Sequence, residues 1–89
     1  MGQDQTKKIL IINRLGLHVR AATQLVKTAE QFKSEVFIHR DGFEQVNGKS
    51  IMSVLTLAAP KGTEITITTR GDDAEAAMQA LENLVKNRF

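Results

Sequence analysis

Thr63-Glu64-Ile65-Thr66-Ile67-Thr68-Thr69-Arg70 places Ile65 and Ile67 on one side and Thr66 and Thr68 on the other. A period of two marks a strand that is half buried, with one face against a core and one against water. The stretch predicts a sheet with a wet, threonine-bearing face, and the flanking elements must then cover the apolar face.

Those elements can be read outward from it. On the N-terminal side Ser50 is a good N-cap for a short apolar helix from Ile51 to Leu57, which Pro60 and Gly62 end after Ala58-Ala59. On the C-terminal side Asp72 and Glu75 read as a capping-box start, with Ala74, Ala77, Met78, Leu81, Leu84 and Val85 along one face of a second helix. Further upstream, Val36 to Arg40 and Phe43 to Val46 flank Asp41-Gly42, the pattern of a type I′ hairpin, and Asn47-Gly48 breaks its second strand. Lys7 to Asn13 is too short a β-branched run for a helix and reads as the first strand, followed by a turn at Arg14-Leu15-Gly16-Leu17. From Val19 to Phe32, Ala22, Leu25, Val26, Ala29 and Phe32 recur at helical spacing. The order is βαββαβα. It implies the α+β class: a two-layer open-faced sandwich with a four-stranded, largely antiparallel sheet covered on one face by three helices.

At 89 residues the chain, 1–89, is expected to form one domain, and 42% hydrophobic with 25% charged residues is a globular composition. A domain this small buries only about 60–65% of its unfolded surface, so chemistry belongs on its surface rather than in an enclosed cavity. With no cysteine, disulfides, thiol catalysis and thiolate metal sites are excluded. His18 and His39 are the only good metal ligands; His39 alternates with Ile38 on the hairpin, reads as solvent-facing and lacks a carboxylate cluster, so neither a metal nor a cofactor is expected. The start MGQDQTKK is polar and only four apolar residues, Ile9 to Ile12, follow, which is neither a signal-peptide core nor a membrane span; a cytoplasmic protein is expected.

The net charge of +2 is unevenly spread. Residues 1–29 carry Lys7, Lys8, Arg14, Arg20 and Lys27 against Asp4 alone, while the remainder is net acidic. A basic pole suits an anionic group or acidic partner. Without a Lys/Arg run or interleaved aromatics it gives little support to nucleic-acid binding, and the RNA-binding sandwich with a similar strand order would need stacking aromatics that Ile9 to Ile12 and Ile65 to Ile67 do not supply.

Reactive groups gather in one segment, Gly16-Leu17-His18-Val19-Arg20-Ala21-Ala22. A histidine at the edge of a helix start lies beside free backbone N–H groups and the positive end of the helix dipole, which favours a neutral, nucleophilic ring and attracts anions. Arg20 offers a fork of donors suited to phosphate oxygens, and Arg14 can approach from the preceding turn. On spacing alone, a histidine in this place is more often a capping or surface residue than a nucleophile.

GLHVRAA, the Lys49-Ser50-Ile51-Met52 segment about thirty residues later and the element order together resemble the HPr family, the histidine-containing phosphocarriers of the bacterial phosphoenolpyruvate:sugar phosphotransferase system. The resemblance runs from Lys7 to Val85. It implies that His18 accepts a phosphoryl group on Nδ1 from phosphorylated enzyme I and passes it to an EIIA protein or domain, and that Arg20 assists the phosphoryl group. It also implies that Ser50 is a regulatory site, a target of HPr kinase/phosphorylase in organisms that have it. Such a protein is a stoichiometric carrier, not an enzyme, and is expected to be a monomer without nucleic-acid or membrane partners. Three positions depart from the family pattern: Ala21 stands where the motif has Pro, Leu15 where Ser or Thr is frequent, and Ser53 where Gly is frequent. A carrier for sugar transport and one for the nitrogen-type regulatory branch both remain open. A glutamine-bearing regulatory homologue is disfavoured because the histidine is present.

Ile51, Met52 and Leu55 lie at helix spacing and would ordinarily be core. A short helix buries only one stripe, which leaves Met52 and Ile51 for an adaptable docking surface, with Lys49 beside it. Ser50 itself is by default a helix cap. The alternative to a carrier is thus a regulatory module, in which Ser50 and the Ile51/Met52/Leu55 patch present a phosphorylation-dependent surface to a kinase or transcriptional regulator.

Overall fold

The computed structural model describes residues 4–87. Four strands, β1 (Gln5–Leu10), β2 (Glu35–Arg40), β3 (Val46–Asn47) and β4 (Glu64–Arg70), alternate with α1 (Val19–Glu30), α2 (Ile51–Leu55) and α3 (Ala74–Asn87) in the order βαββαβα. The sheet order is β1-β4-β2-β3 and every pairing is antiparallel. The alternating strand is thus central: β4 pairs Ile67 with Lys7 on one side and with Ile38 on the other. Its Ile65, Ile67 and Thr69 are fully buried, while Thr66 and Thr68 face the open side opposite Lys8 and Thr6 of β1 and His39 and Phe37 of β2.

One core lies between sheet and helices. It joins Ile9, Ile11, Val36, Ile38, Ile65 and Ile67 from the sheet layer to Leu25, Val26 and Ala29 of α1, Val54 of α2, and Met78, Leu81 and Val85 of α3. Burying a side chain of this size contributes roughly 1.5–3 kcal/mol, so the amphipathic stripes decide where each helix lies. α3 packs on β1, β4 and α1, and α2 on α1 and β3.

Several local expectations are corrected. β1 begins at Gln5, not Lys7, because polar Gln5 and Thr6 pair with Thr69 and Thr68, and it leaves the sheet after Leu10 instead of Asn13. Ile11 stays buried and bonded to the loop before β4, by its N–H to the Thr63 carbonyl and by its carbonyl from the Gly62 N–H, both 2.8 Å. α1 stops at Glu30, two residues before Phe32, which is only half buried. The turn at Asp41-Gly42 is closed by the Phe43 N–H on the Arg40 carbonyl at 3.0 Å, yet only Gly42 has positive φ (86°), so it is not type I′, which needs both central residues there. Phe43 does not pair: its ring lies 4.4 Å from the Arg40 guanidinium, and β3 shrinks to Val46–Asn47.

α2 ends at Leu55, two residues short of the expected Leu57, though Leu57 remains buried. α3 begins at Ala74 rather than at an Asp72 capping box: the Asp73 carbonyl accepts the first helical bond from Ala77 N–H (2.9 Å). The Asp73 carboxylate instead accepts the Lys33 and Ser34 N–H groups at 2.8 Å each and the Ser34 hydroxyl, tying the turn before β2 to the start of α3. These donors, the Ser34 hydroxyl first, hold Asp73 down at a pKa of about 2.

Candidate functional site

The site begins where β1 ends. Asn13 Nδ2 donates to the Gly16 carbonyl at 2.5 Å and the Gly16 N–H returns a bond to the Asn13 carbonyl at 3.0 Å, closing a tight loop. Gly16 has φ +66°, and a Cβ there would stand 2.5 Å from the Ala59 oxygen and 2.7 Å from Pro60 Cα. Only glycine fits, both in conformation and in space. Leu17 N–H then bonds the Ala59 carbonyl at 2.8 Å and its side chain enters the core, so the chain reaches His18 in a fixed register.

His18 is the N-cap of α1. Its backbone is extended (φ −79°, ψ −179°), its carbonyl takes the first helical bond from Ala22 N–H at 2.8 Å, and its Nδ1 accepts the Arg20 N–H at 3.2 Å. A nitrogen that accepts cannot carry the proton, so the neutral ring has its N–H at Nε2 and its lone pair at Nδ1. That lone pair faces the Arg20 N–H; the N–H groups of Val19, Arg20 and Ala21 all precede the first helical bond and have no helical carbonyl to meet. An incoming anion at Nδ1 would find those donors and the dipole in place.

The Arg20 side chain is exposed, and among the described residues its guanidinium has no hydrogen-bond or ion-pair partner. Arg14 is also exposed and, with Asn13, Leu15 and His18, lines an open depression of about 240 Å³. Ala21, where the motif has proline, is buried in the first turn of the helix. Around the half-buried His18 stand two exposed apolar side chains, Leu15 (67%) and Val19 (63%).

The second group of expected residues sits on α2, which packs against α1. Ser50 is its N-cap, with Oγ accepting from Ser53 N–H at 3.3 Å. Met52 is 75% exposed and Ile51 36%, whereas Leu55 is half buried against the core. Lys49 is turned inward: its Nζ donates to the Phe32 carbonyl just beyond α1, at 2.8 Å. His39 lies on the open face opposite Thr66, away from these residues along the chain, and no group of three or more potential metal-binding side chains occurs among the described residues. None of the helices there is long and apolar enough to cross a membrane.

Two contributors escaped the sequence reading. Asn13 pins the loop before His18 through a local bond, for which its place three residues ahead of Gly16 was the available signal. Arg40 holds the far end of α2, donating from Nη1 to the Leu57 (2.7 Å) and Ala58 (3.1 Å) carbonyls. That bond spans seventeen residues and left no mark in local pattern. It secures Ala58 at φ 46°, a conformation costly for a residue with a Cβ.

A surface histidine whose unprotonated nitrogen points at a helix start, beside an open depression on an open-faced sandwich, fits a class of small proteins that accept a group and hand it on. The comparisons give that class a family. The family described as "PTS HPr component phosphorylation site" matches residues 5–87. The phosphocarrier protein HPr of Neisseria meningitidis serogroup A is 49% identical over 83 residues, covering 93% of this chain and 92% of that protein. Among solved structures, HPr of Thermoanaerobacter tengcongensis aligns at TM-score 0.90 with 36% identity over 96% of this chain and 94% of that one. HPr of Bacillus anthracis aligns at 0.86 with 41% identity over 92% and 96%. The chain belongs to the HPr family, the phosphocarriers of the bacterial phosphotransferase system.

Proposed function

We propose that this protein takes a phosphoryl group on Nδ1 of His18 from phosphorylated enzyme I and delivers it to an EIIA protein or domain. The carrying observation is that Nδ1 is the acceptor nitrogen of the α1 cap, so it presents a lone pair rather than a proton, held only by the Arg20 N–H at 3.2 Å. In the forward step that lone pair forms a bond to phosphorus as the phosphorus–nitrogen bond of the donor histidine breaks. The new phosphoryl oxygens take over the helix-start N–H groups, and the exposed Arg20 guanidinium, without a partner among the described residues, neutralises their charge. The depression beside His18 is open, so each partner completes the site by docking on Leu15, Val19, Ile51 and Met52 and excluding water. Residues 1–89 act as one cytoplasmic, monomeric domain that is turned over by its partners and is not itself an enzyme.

A second, regulatory role is favoured by Ser50, a half-exposed cap beside the 75% exposed Met52. Phosphorylation there by an HPr kinase/phosphorylase would place an anion on the docking surface and redirect the protein toward a transcriptional regulator. Intact-mass analysis after incubation with enzyme I and phosphoenolpyruvate tests the carrier role: one acid-labile phosphoryl group is expected, and none on His18→Ala. Wild-type phosphorylation of that variant would remove His18 from the reaction. Acid-stable phosphate lost in Ser50→Ala after kinase treatment would mark the regulatory site.

A further inference from the structure

Among the described residues one buried side-chain polar atom has no hydrogen-bond partner, Asn13 Oδ1. The orientation of the amide is fixed, since its Nδ2 donates to the Gly16 carbonyl at 2.5 Å and a flipped amide would set oxygen against oxygen. Holding the loop uses only the Nδ2 end. The oxygen is left shielded from water, a costly state that a purely structural asparagine has no reason to keep. Asn13 lines the same depression as His18, and the other side chains there are Arg14 and Leu15. Apart from Asn13 itself, only the His18 ring and the exposed Arg14 guanidinium among them can donate.

We propose that Asn13 is a positioning residue for His18, its Oδ1 accepting the ring Nε2–H once Nδ1 carries a phosphoryl group. The inference rests on the reading of His18 as the phosphoryl acceptor. In the free protein the ring is oriented through Nδ1 by the Arg20 N–H at 3.2 Å. Bonding to phosphorus consumes that lone pair, releases the Arg20 N–H to a phosphoryl oxygen, and leaves the ring cationic with its proton on Nε2. A cationic N–H makes a hydrogen bond about twice as strong as a neutral one, and Oδ1 has no existing bond to surrender. The charged side chains nearest the ring along the chain, Arg14 and Arg20, are both cations and cannot accept its N–H, whereas the Asn13 oxygen in the same depression can. The loop that carries Oδ1 is braced by Gly16 against Ala59 and Pro60.

The test uses the whole chain without any partner protein. Phosphoramidate transfers its phosphoryl group to Nδ1, the reagent's phosphorus–nitrogen bond breaking as ammonia leaves, and the ring is followed by 15N–1H NMR across pH. The Nε2–H of the phosphorylated protein should exchange with water more slowly than that of the free protein. Asn13→Ala should lower the proton affinity of the phosphorylated ring about tenfold, one pH unit, while moving that of the free ring much less. Equal shifts in both states would mean that Asn13→Ala merely loosens the loop, and would overturn the proposal. So would unchanged exchange in the wild-type protein, which requires no variant. If phosphoramidate modifies His18→Ala as fully as wild type, the carrier reading fails first and this proposal falls with it.

Discussion

Two of the three helices begin with a residue expected to be phosphorylated, and they use their caps differently. At α1, His18 Nδ1 accepts from the second helical residue, Arg20, at 3.2 Å; at α2, Ser50 Oγ accepts from the third, Ser53, at 3.3 Å. The α1 cap sits on a helix of 12 residues, beside exposed arginines. The α2 cap sits on a helix of 5, whose neighbouring cation Lys49 is committed to the Phe32 carbonyl. Phosphate at the first meets waiting donors and free cations. Phosphate at the second would meet one turn of donors and, on the proposed docking role, a surface that a partner has to desolvate. The same local device can therefore serve transfer at one helix and inhibition of docking at the other.

The largest effect is expected where the α1 cap meets its free cation. Arg20→Ala should slow enzyme I-dependent phosphorylation of His18 roughly ten- to a thousandfold, the range for losing one charge-stabilising donor. The melting temperature should barely move, because the cap uses the Arg20 backbone N–H, which alanine retains. A stopped-flow rate equal to wild type, or a fall in stability large enough to explain the loss, would show that the two caps do not differ in this way.

At the α2 cap the expected effect is smaller and lies in docking. Ser50→Asp keeps a capping oxygen, so thermal unfolding should shift by no more than a few degrees. Its charge beside Ile51 and Met52 should weaken enzyme I binding about tenfold, since an anion desolvated without a partner costs at least 1–2 kcal/mol. Ser50→Ala should dock normally and lose about 1 kcal/mol of stability. An Asp variant phosphorylated at wild-type speed at subsaturating enzyme I would leave Ser50 a cap and nothing more.

The comparison also shows what the sequence made legible. Alternation in Glu64–Arg70 and helical spacing in α1 and α3 report burial directly, so the order of elements and the layer arrangement were readable. The His18 loop was readable because Gly16, His18 and Arg20 are neighbours in the chain. What escaped reading was set by contacts between distant residues. Phe43 gave up its strand for the Arg40 guanidinium, Lys49 turned to Phe32 instead of the surface, and α3 starts after Asp73, whose carboxylate holds Ser34, thirty-nine residues away, instead of at the expected Asp72 capping box. No local pattern records which of several polar partners a side chain will choose.

α3 supplies a third case, in which the carboxylate at the helix start serves another loop. Asp73 lies well below the ordinary carboxylate value, at about 2 against 3.8, so the folded state favours its ionised form. That contribution to stability is complete above pH 4 and disappears as pH falls from about 4 to 2. Urea unfolding of Asp73→Asn should show lower stability at neutral pH and a flatter pH dependence in that window. An unchanged acid limb would assign the wild-type acid sensitivity to other carboxylates.

The smallest effect tests the geometry of the two caps themselves. Because the α1 cap engages the second helical residue, the N–H of the third, Ala21, is used by neither the cap nor the helix. Ala21→Pro therefore removes no hydrogen bond and restricts the unfolded chain, a gain of about 0.4–1 kcal/mol, partly offset by crowding of Arg20 ahead of the proline. At α2 the third residue is Ser53, whose N–H is the one Ser50 Oγ accepts. Ser53→Pro deletes that donor and should cost about 1 kcal/mol or more, the worth of the cap, though the position in the helix is the same. Equilibrium urea unfolding of the two variants resolves opposite signs at this size. If both prolines destabilise equally, the Arg20 N–H is not the sole contact of the α1 cap, and the lone pair of Nδ1 is less free for phosphorus than the 3.2 Å bond implies.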